Sequence, residues 1–211
     1  KKEAILQGDP TRVAKQRALG KLTARERVSK LLDQGSFVEL DTLVRSGEAG
    51  AGVITGYGTV EERPVYVFSQ DFTVRGGAMG KAQGKKIEKV LELARTTGTP
   101  VVAMLDSAGV CLDEGVEAMN AYADVYARMA RLSGVVPMIA LVMGPVVGGA
   151  SMLVPLADVS IQAENVGEVM VYGPQVVGAM TEKNLTSKAL GGAAAMAAQG
   201  GVSLTAKTED E

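Results

Sequence analysis

The sequence predicts an α/β fold built largely on parallel strands. Three observations carry that expectation. An apolar β-branched run, a small-residue turn and a helix-spaced segment follow one another in that order, first from "RPVYVFSQDF", again from Pro100 and again from "VVPMIALVMG". The unit recurs once per roughly 30 to 40 residues, the length of a strand with a crossover helix. Finally, the strand in "RPVYVFSQDF" is apolar enough to lie within a sheet. Repeated units of this kind place strands side by side through right-handed crossovers.

The first forty residues read as two helices, one around "DPTRVAKQRALG" and one in "LTARERVSKLLDQG". In the second, Thr23 and Glu26 have capping-box spacing and Gly35 supplies the stop, with Val28, Leu31 and Leu32 turned to a core or partner. "RSGEAGAG" reads as a mobile glycine-rich loop and marks the internal boundary, giving residues 1–45 as a helical extension and 46–211 as the main domain. "GVITGYGTVEERPVYVFSQDF" gives two strands joined by a turn at Glu61 to Pro64. The glycine turn "TVRGGAMGKAQG" then leads into a helix whose Ile87, Val90, Leu91 and Ala94 keep one face. After the strand Pro100 to Asp106, Ala118, Tyr122, Val125, Met129 and Leu132 line the stripe of the next helix. A third unit, "VVPMIALVMGPVVGGASMLVPLA", is followed by strands in "DVSIQAE" and "EVMVYG".

Composition removes several function classes. A chain of 211 residues with a formal net charge of −2 has no basic field for a polyanion, and 4% aromatic residues leave few platforms for bases. Nucleic acid is excluded as a partner. One cysteine permits no internal disulfide and fits a reducing, cytoplasmic setting. No stretch has the apolar length of a membrane helix, and "KKEAILQGDPTRVAKQ" lacks a signal-peptide core, so no membrane insertion is expected. The chain has no histidine, which removes Ser-His-Asp, Cys-His and His-metal chemistry, and no metal site is expected. Backbone dipoles, carboxylates, lysines or a bound cofactor must do any catalysis.

Two turns qualify for such work. Ala108, Gly109 and Val110 follow one strand, and Gly148 and Gly149 follow the next. Each presents backbone N–H groups near a helix start, and two donors meeting at one point form an oxyanion hole. For either turn alone, tight packing explains the glycines; together they favour the donor role. The stretch from Arg75 to Lys86, with Gly76, Gly77, Gly80 and Gly84 among Arg75, Lys81, Lys85 and Lys86, suits a phosphate-bearing ligand or else a solvated helix start. "GGAMGKA" is no Walker loop, since only three residues separate Gly76 from Gly80 and Ala82 stands where a Ser or Thr is needed. Cys111 is read as a small buried hydrophobe, Ser151 lacks an imidazole to activate it, and Asp113 and Glu114 complement a helix dipole. The methionines, Met79, Met129 and Met152 among them, are assigned mostly to core filling.

The segments "GKLTARERVSKLLDQGSFVELD", "GVITGYGTVEERPVYVFSQDFTVRGGAMG", "DSAGVCLDEGV", "SGVVPMIALVMGPVVGGA" and "LGGAAAMAAQGGV" together resemble carboxyltransferase subunits of biotin-dependent acyl-CoA carboxylases and decarboxylases, of the propionyl-CoA carboxylase beta and methylmalonyl-CoA decarboxylase alpha type. The resemblance covers nearly the whole chain, which would correspond to the N-terminal, acyl-CoA-binding half of those subunits. It implies a crotonase-like fold of β-β-α turns. It also implies that the backbone of Phe72, Thr73, Val74, Arg75, Gly76, Gly77 and Ala78 receives the adenine end of coenzyme A, with Arg75, Lys81 or Lys85 near its phosphates. Gly109 and Val110, beside Ala108, with Gly148 or Gly149, would hold the thioester oxygen.

In the mechanism the resemblance implies, carboxybiotin on a separate carrier protein releases CO₂, the freed ureido nitrogen takes the α-proton of the acyl-CoA, and the enolate attacks CO₂. The family's usual turn is DSGGARIQEG; here Ala108 replaces the first glycine, Val110 the alanine and Cys111 the arginine. The implied partners are acyl-CoA, a second carboxyltransferase half-subunit and the biotin carrier protein, in a hetero- or homo-oligomer. Two alternatives stand beside this: a non-catalytic CoA-binding or assembly subunit, and a stand-alone acyl-CoA hydrolase or isomerase.

Overall fold

The computed structural model describes residues 9–46 and 49–211. Helix α1, Pro10–Ala18, begins where the Asp9 carboxylate accepts the N–H groups of Thr11 and Arg12 and Pro10 presets the first turn. Helix α2, Ala24–Leu31, carries the full capping box between Thr23 and Glu26. It ends at Leu31, four residues before Gly35, which lies in a separate turn closed by Ser36 N–H on the Asp33 carbonyl. The expected stop at Gly35 is therefore corrected.

Strand β1, Val38–Leu40, leads to the short antiparallel pair β2, Arg45–Ser46, and β3, Ala49–Gly50. The stretch expected as a mobile loop thus forms a small hairpin, with residues 47 and 48 outside the described part. Strands β4, Val53–Val60, and β5, Arg63–Gln70, are joined by Glu61 and Glu62, both at positive φ. A 3-10 turn over Arg75–Gly77 enters α3, Lys81–Thr97, which Gly98 closes in the left-handed region. Strand β6, Val101–Ser107, α4, Val116–Leu132, and β7, Met138–Val147, follow. The third unit departs from expectation: "GGASML" makes a 3-10 run, Gly148–Leu153, and no α-helix. Strands β8, Val159–Ala163, and β9, Glu168–Met170, then precede α5, Pro174–Thr181, α6, Ser187–Gly191, α7, Ala193–Ala198, and β10, Leu204–Ala206.

The main sheet runs β1-β4-β5-β6-β7-β8-β10, with β9 paired to β7 beyond the end of the β7–β8 pairing. It is antiparallel through β1, β4 and β5, and parallel from β5 onward. Alternation along β6 divides the core. Val101, Ala103 and Leu105 face α3 and α4, with Phe68, Ile87, Leu91, Val125 and Met129. Val102 and Met104 face α2, with Ala24, Val28, Leu32, Val65 and Val67. The N-terminal helices therefore seal the second face of the sheet. Helices α3 and α4 meet at Gly84, where an added Cβ would stand 2.7 Å from the Ala121 Cβ.

A cluster of buried charge ties these layers together at the end of β6. Asp106 accepts Lys21 Nζ at 2.7 Å on one oxygen and Arg27 Nη1 at 2.9 Å on the other. Arg27 also grips Glu209 at 2.6 Å and donates to the Met143 carbonyl. Two cations face two carboxylates, all buried. Burial drives the Lys21 ammonium below its ordinary pKa against the pull of Asp106, while Arg27, disfavoured by burial, is raised by Glu209 and Asp106.

Two outcomes follow. Asp106→Asn leaves Lys21 and Arg27 undercompensated and lowers unfolding free energy by about 3 kcal/mol in urea titration. Lys86, buried with its ammonium on the Val53 carbonyl, is lowered by burial to about 8 from 10.5. Unfolding takes up a proton between those values, so native stability rises with pH across that window. In Lys86→Met that contribution to the slope is absent, so the native chain gains stability relative to the variant as pH climbs from about 8 to 10.5.

Candidate active site

Strands β6 and β7 are adjacent and parallel, with Ser107 opposite Val146, so the turns that follow them leave the same edge of the sheet together. This is the carboxyl end of the strands, where open α/β sheets place ligands. Gly109 sits at φ +107, and a Cβ there would stand 2.9 Å from the Val147 carbonyl oxygen. Glycine is thus required for the two turns to approach.

The main-chain donors divide clearly. Ala108 N–H donates to the Gly76 carbonyl at 2.8 Å and Gly109 N–H to Ser107 Oγ at 3.1 Å. Val110 N–H has no acceptor among the described residues. The other end of the same peptide unit, the Gly109 carbonyl, takes Met79 N–H at 2.8 Å and the Tyr122 hydroxyl at 2.9 Å. Gly148 and Gly149 open the 3-10 run, whose first N–H groups have no acceptor within the run. Ser151 Oγ donates to the Gly148 carbonyl at 2.7 Å and Tyr126 to the Gly149 carbonyl. In a planar trans unit the carbonyl and the next N–H point opposite ways, so each bond on a carbonyl fixes the aim of an N–H. Spacing alone does not distinguish Tyr122 from core filling on the α4 stripe, and Tyr126 lies off the stripe that spacing picks out.

Behind the turns, Ser107 Oγ also donates to the Gly77 carbonyl at 2.8 Å, and a Cβ on Gly77 would collide with the Asp106 carbonyl. Glu114 accepts Lys81 N–H at 2.6 Å, capping α3 across space, and is held below the usual carboxylate range by that bond. Cys111 is buried with Arg75 Nη1 3.1 Å from its sulfur. Met79 and Met129 are buried, whereas Met152 is half exposed.

The stretch from Phe72 to Ala78 is partly self-bonded: Thr73 and Val74 N–H groups go to Asp71, Gly77 to Val74 and Ala78 to Arg75. Lys81 lies 2.9 Å from Glu117, and Lys85 lies 3.0 Å from Glu88 and 3.4 Å from Asp124. Arg75 contacts Ser46 and Glu114. Cations beside Phe72 come instead from the N-terminal segment: Arg12 and Lys15 of α1, with Gln16 and Leu19, line a cleft of about 340 Å³ with Phe72, Thr73 and Gly76. Arg12 donates to the Thr73 carbonyl at 3.1 Å, and Lys21 lies 4.3 Å over the Phe72 ring. Sequence order hides this cleft because its two walls are some sixty residues apart. Among the described residues, no three of His, Cys, Asp and Glu gather to hold a metal ion, and no helix is long and apolar enough to cross a membrane.

Residues 15–211 match the family model of the carboxyl transferase domain. The chain is 44% identical over 201 residues to the propionyl-CoA carboxylase beta chain of Saccharopolyspora erythraea, covering 90% of this chain and 37% of that one. It is 43% identical over 204 residues to the methylmalonyl-CoA decarboxylase subunit alpha of Propionigenium modestum, covering 92% and 40%. It spans about two-fifths of these relatives' length. Among solved structures, transcarboxylase 12S, a hexamer with hydrolysed methylmalonyl-coenzyme A bound, superposes with a TM-score of 0.95 at 37% identity, covering 99% of this chain and 43% of that chain. A chain of a Pseudomonas malonate decarboxylase hetero-tetramer in complex with malonate gives 0.81 at 26% identity, covering 94% and 83%. The fold is crotonase-like, as in these carboxyltransferases. With a family model matching nearly its full length, the chain belongs to the carboxyl transferase domain family.

Proposed function

We propose that this chain provides the acyl-CoA half of a biotin-dependent carboxyltransferase, holding a short acyl-CoA while a carboxyl group moves to or from its α carbon. The observation that carries the reading is the approach of the two turns, with Gly109 packed on the Val147 carbonyl. Val110 N–H and the opening amides at Gly148 and Gly149 are the donors to the thioester oxygen; Ala108, its N–H spent on Gly76, supports the turn. As negative charge grows on that oxygen in the enolate, fixed amides stabilise it without reorganising, at about 3 kcal/mol per donor.

The coenzyme's nucleotide end lies toward the cleft of Phe72, Thr73 and Gly76, with Arg12 and Lys15 meeting its phosphates and Arg75 nearer the turn. A biotin group on a carrier protein supplies the carboxyl group and the base, which suits a site whose own donors are main-chain amides in a chain without histidine. Leu112, Val116 and Met119 stand exposed next to the turn, a surface suited to the second carboxyltransferase half in a hetero- or homo-oligomer. The malonate decarboxylase chain it covers at 83% works within a hetero-tetramer, which supports division of the site between polypeptides.

The deciding assay combines the chain, the polypeptide that co-purifies with it and a biotin carrier, and follows carboxyl transfer to and from propionyl-CoA. Transfer supports the reading; CoA binding without turnover favours an assembly subunit, and turnover by the isolated chain without biotin favours a hydrolase or isomerase. Gly109→Ala forces a Cβ toward Val147 and lowers kcat about 100-fold while the Kd for propionyl-CoA holds. Arg12→Glu with Lys15→Glu does the reverse, weakening that Kd roughly tenfold with kcat kept, as read by titration calorimetry and steady-state rates.

A further inference from the structure

We infer that Tyr122 is the positioning residue that sets the aim of the Val110 N–H and its separation from the amide donors of the Gly148–Gly149 turn. This deepens the function proposed above and rests on it. One side chain stands between the two turns: its hydroxyl donates to the Gly109 carbonyl at 2.9 Å, and its ring fills the space beside Gly149, where an added Cβ would lie 3.2 Å from two ring carbons. Tyr126, one helical turn on, bonds the Gly149 carbonyl, and the two rings stand 5.6 Å apart. A buried phenol needs an acceptor wherever it sits. Here the acceptor is the carbonyl whose own peptide unit ends in the unpartnered Val110 N–H, and that carbonyl already holds Met79 N–H. A second donor on it fixes the plane and polarises the unit, so the N–H opposite becomes a stronger donor. Burial raises the Tyr122 phenol well above its ordinary pKa, which keeps the hydroxyl a donor.

The test reads the thioester carbonyl directly. Propionyl-CoA labelled with carbon-13 at the carbonyl is bound to the native chain and its infrared band compared with that of the free ester; a displacement to lower wavenumber is expected. In Tyr122→Phe the band returns toward the free position while Kd stays within about twofold, and with the partner and carrier kcat falls about three- to tenfold at unchanged KM. Incorporation of 3-fluorotyrosine at position 122, a more acidic donor of nearly the same shape, displaces the band further than in the native chain. A native-like band in Tyr122→Phe overturns the role of Tyr122 and leaves the donor reading standing. No displacement in a native chain that binds the ester, or no binding at all, overturns that reading and this inference with it. If Tyr122→Phe does not fold, the fluorotyrosine chain decides, and a band identical to the native one overturns the inference.

Discussion

The pairing of Asp106 with Lys21 and Arg27 is the constraint from which the site is built. Charges of this burial are unfavourable unless every one is compensated, and here two cations and two carboxylates close the account among themselves. The partners come from three distant parts of the chain: the segment around α2, the end of β6 and Glu209 near the last residue described. A strand end held from both sides cannot drift, and this strand end carries the first of the two turns. The N-terminal helices are thus structural to the site, covering one face of the sheet and fixing the residue from which the Ala108–Val110 turn departs.

From Asp106 the constraint passes outward through short bonds. Ser107 holds the Gly77 carbonyl and receives Gly109 N–H, while Ala108 N–H reaches Gly76. Met79 is bracketed by the Gly109 carbonyl and Cys111 N–H in a one-residue parallel bridge. Lys21, bound to Asp106, also lies over Phe72 and links the same cluster to the wall of the cleft lined by Arg12 and Lys15. The turn and the cleft therefore share one rigid support. Electrostatic stabilisation by fixed dipoles depends on that rigidity, because a donor that must reorient gives back what it gains.

The sequence was most legible where local chemistry decides structure. The capping box at Thr23 and Glu26, the apolar stripes of α3 and α4 and the β-branched runs of β5 to β7 need no distant partner to be recognised. Errors arose where glycine admitted more than one answer. Gly35 follows a helix that had already ended, and "GGASML", apolar in a helix-like pattern, stays 3-10 before Pro155, whose missing N–H and ring oppose an α-helix there. The two glycine turns were found because each follows an apolar run. Their supports were not, since Tyr122 reads as one more apolar position on a stripe and Asp106 as the last residue of a strand. Arg12 and Lys15 lie far from Phe72 in sequence, whereas Lys81 and Lys85, close to it, turn to carboxylates on α3 and α4.

The main-chain donors proposed here also account for how the turn departs from DSGGARIQEG. At position 108 the residue needs only to give its N–H to the Gly76 carbonyl. At 110 the contribution is an amide, indifferent to whether alanine or valine bears it. At 109 the backbone angle and the Val147 carbonyl leave room for hydrogen alone, and glycine stands there. The substitution that removes charge is cysteine for arginine at 111. Arg75 comes to that position from another segment, its Nη1 3.1 Å from the sulfur and its Nη2 3.3 Å from Glu114. A guanidinium therefore still borders the turn, held by a carboxylate that also caps α3, so positive charge persists beside the proposed donors although the turn itself does not encode it.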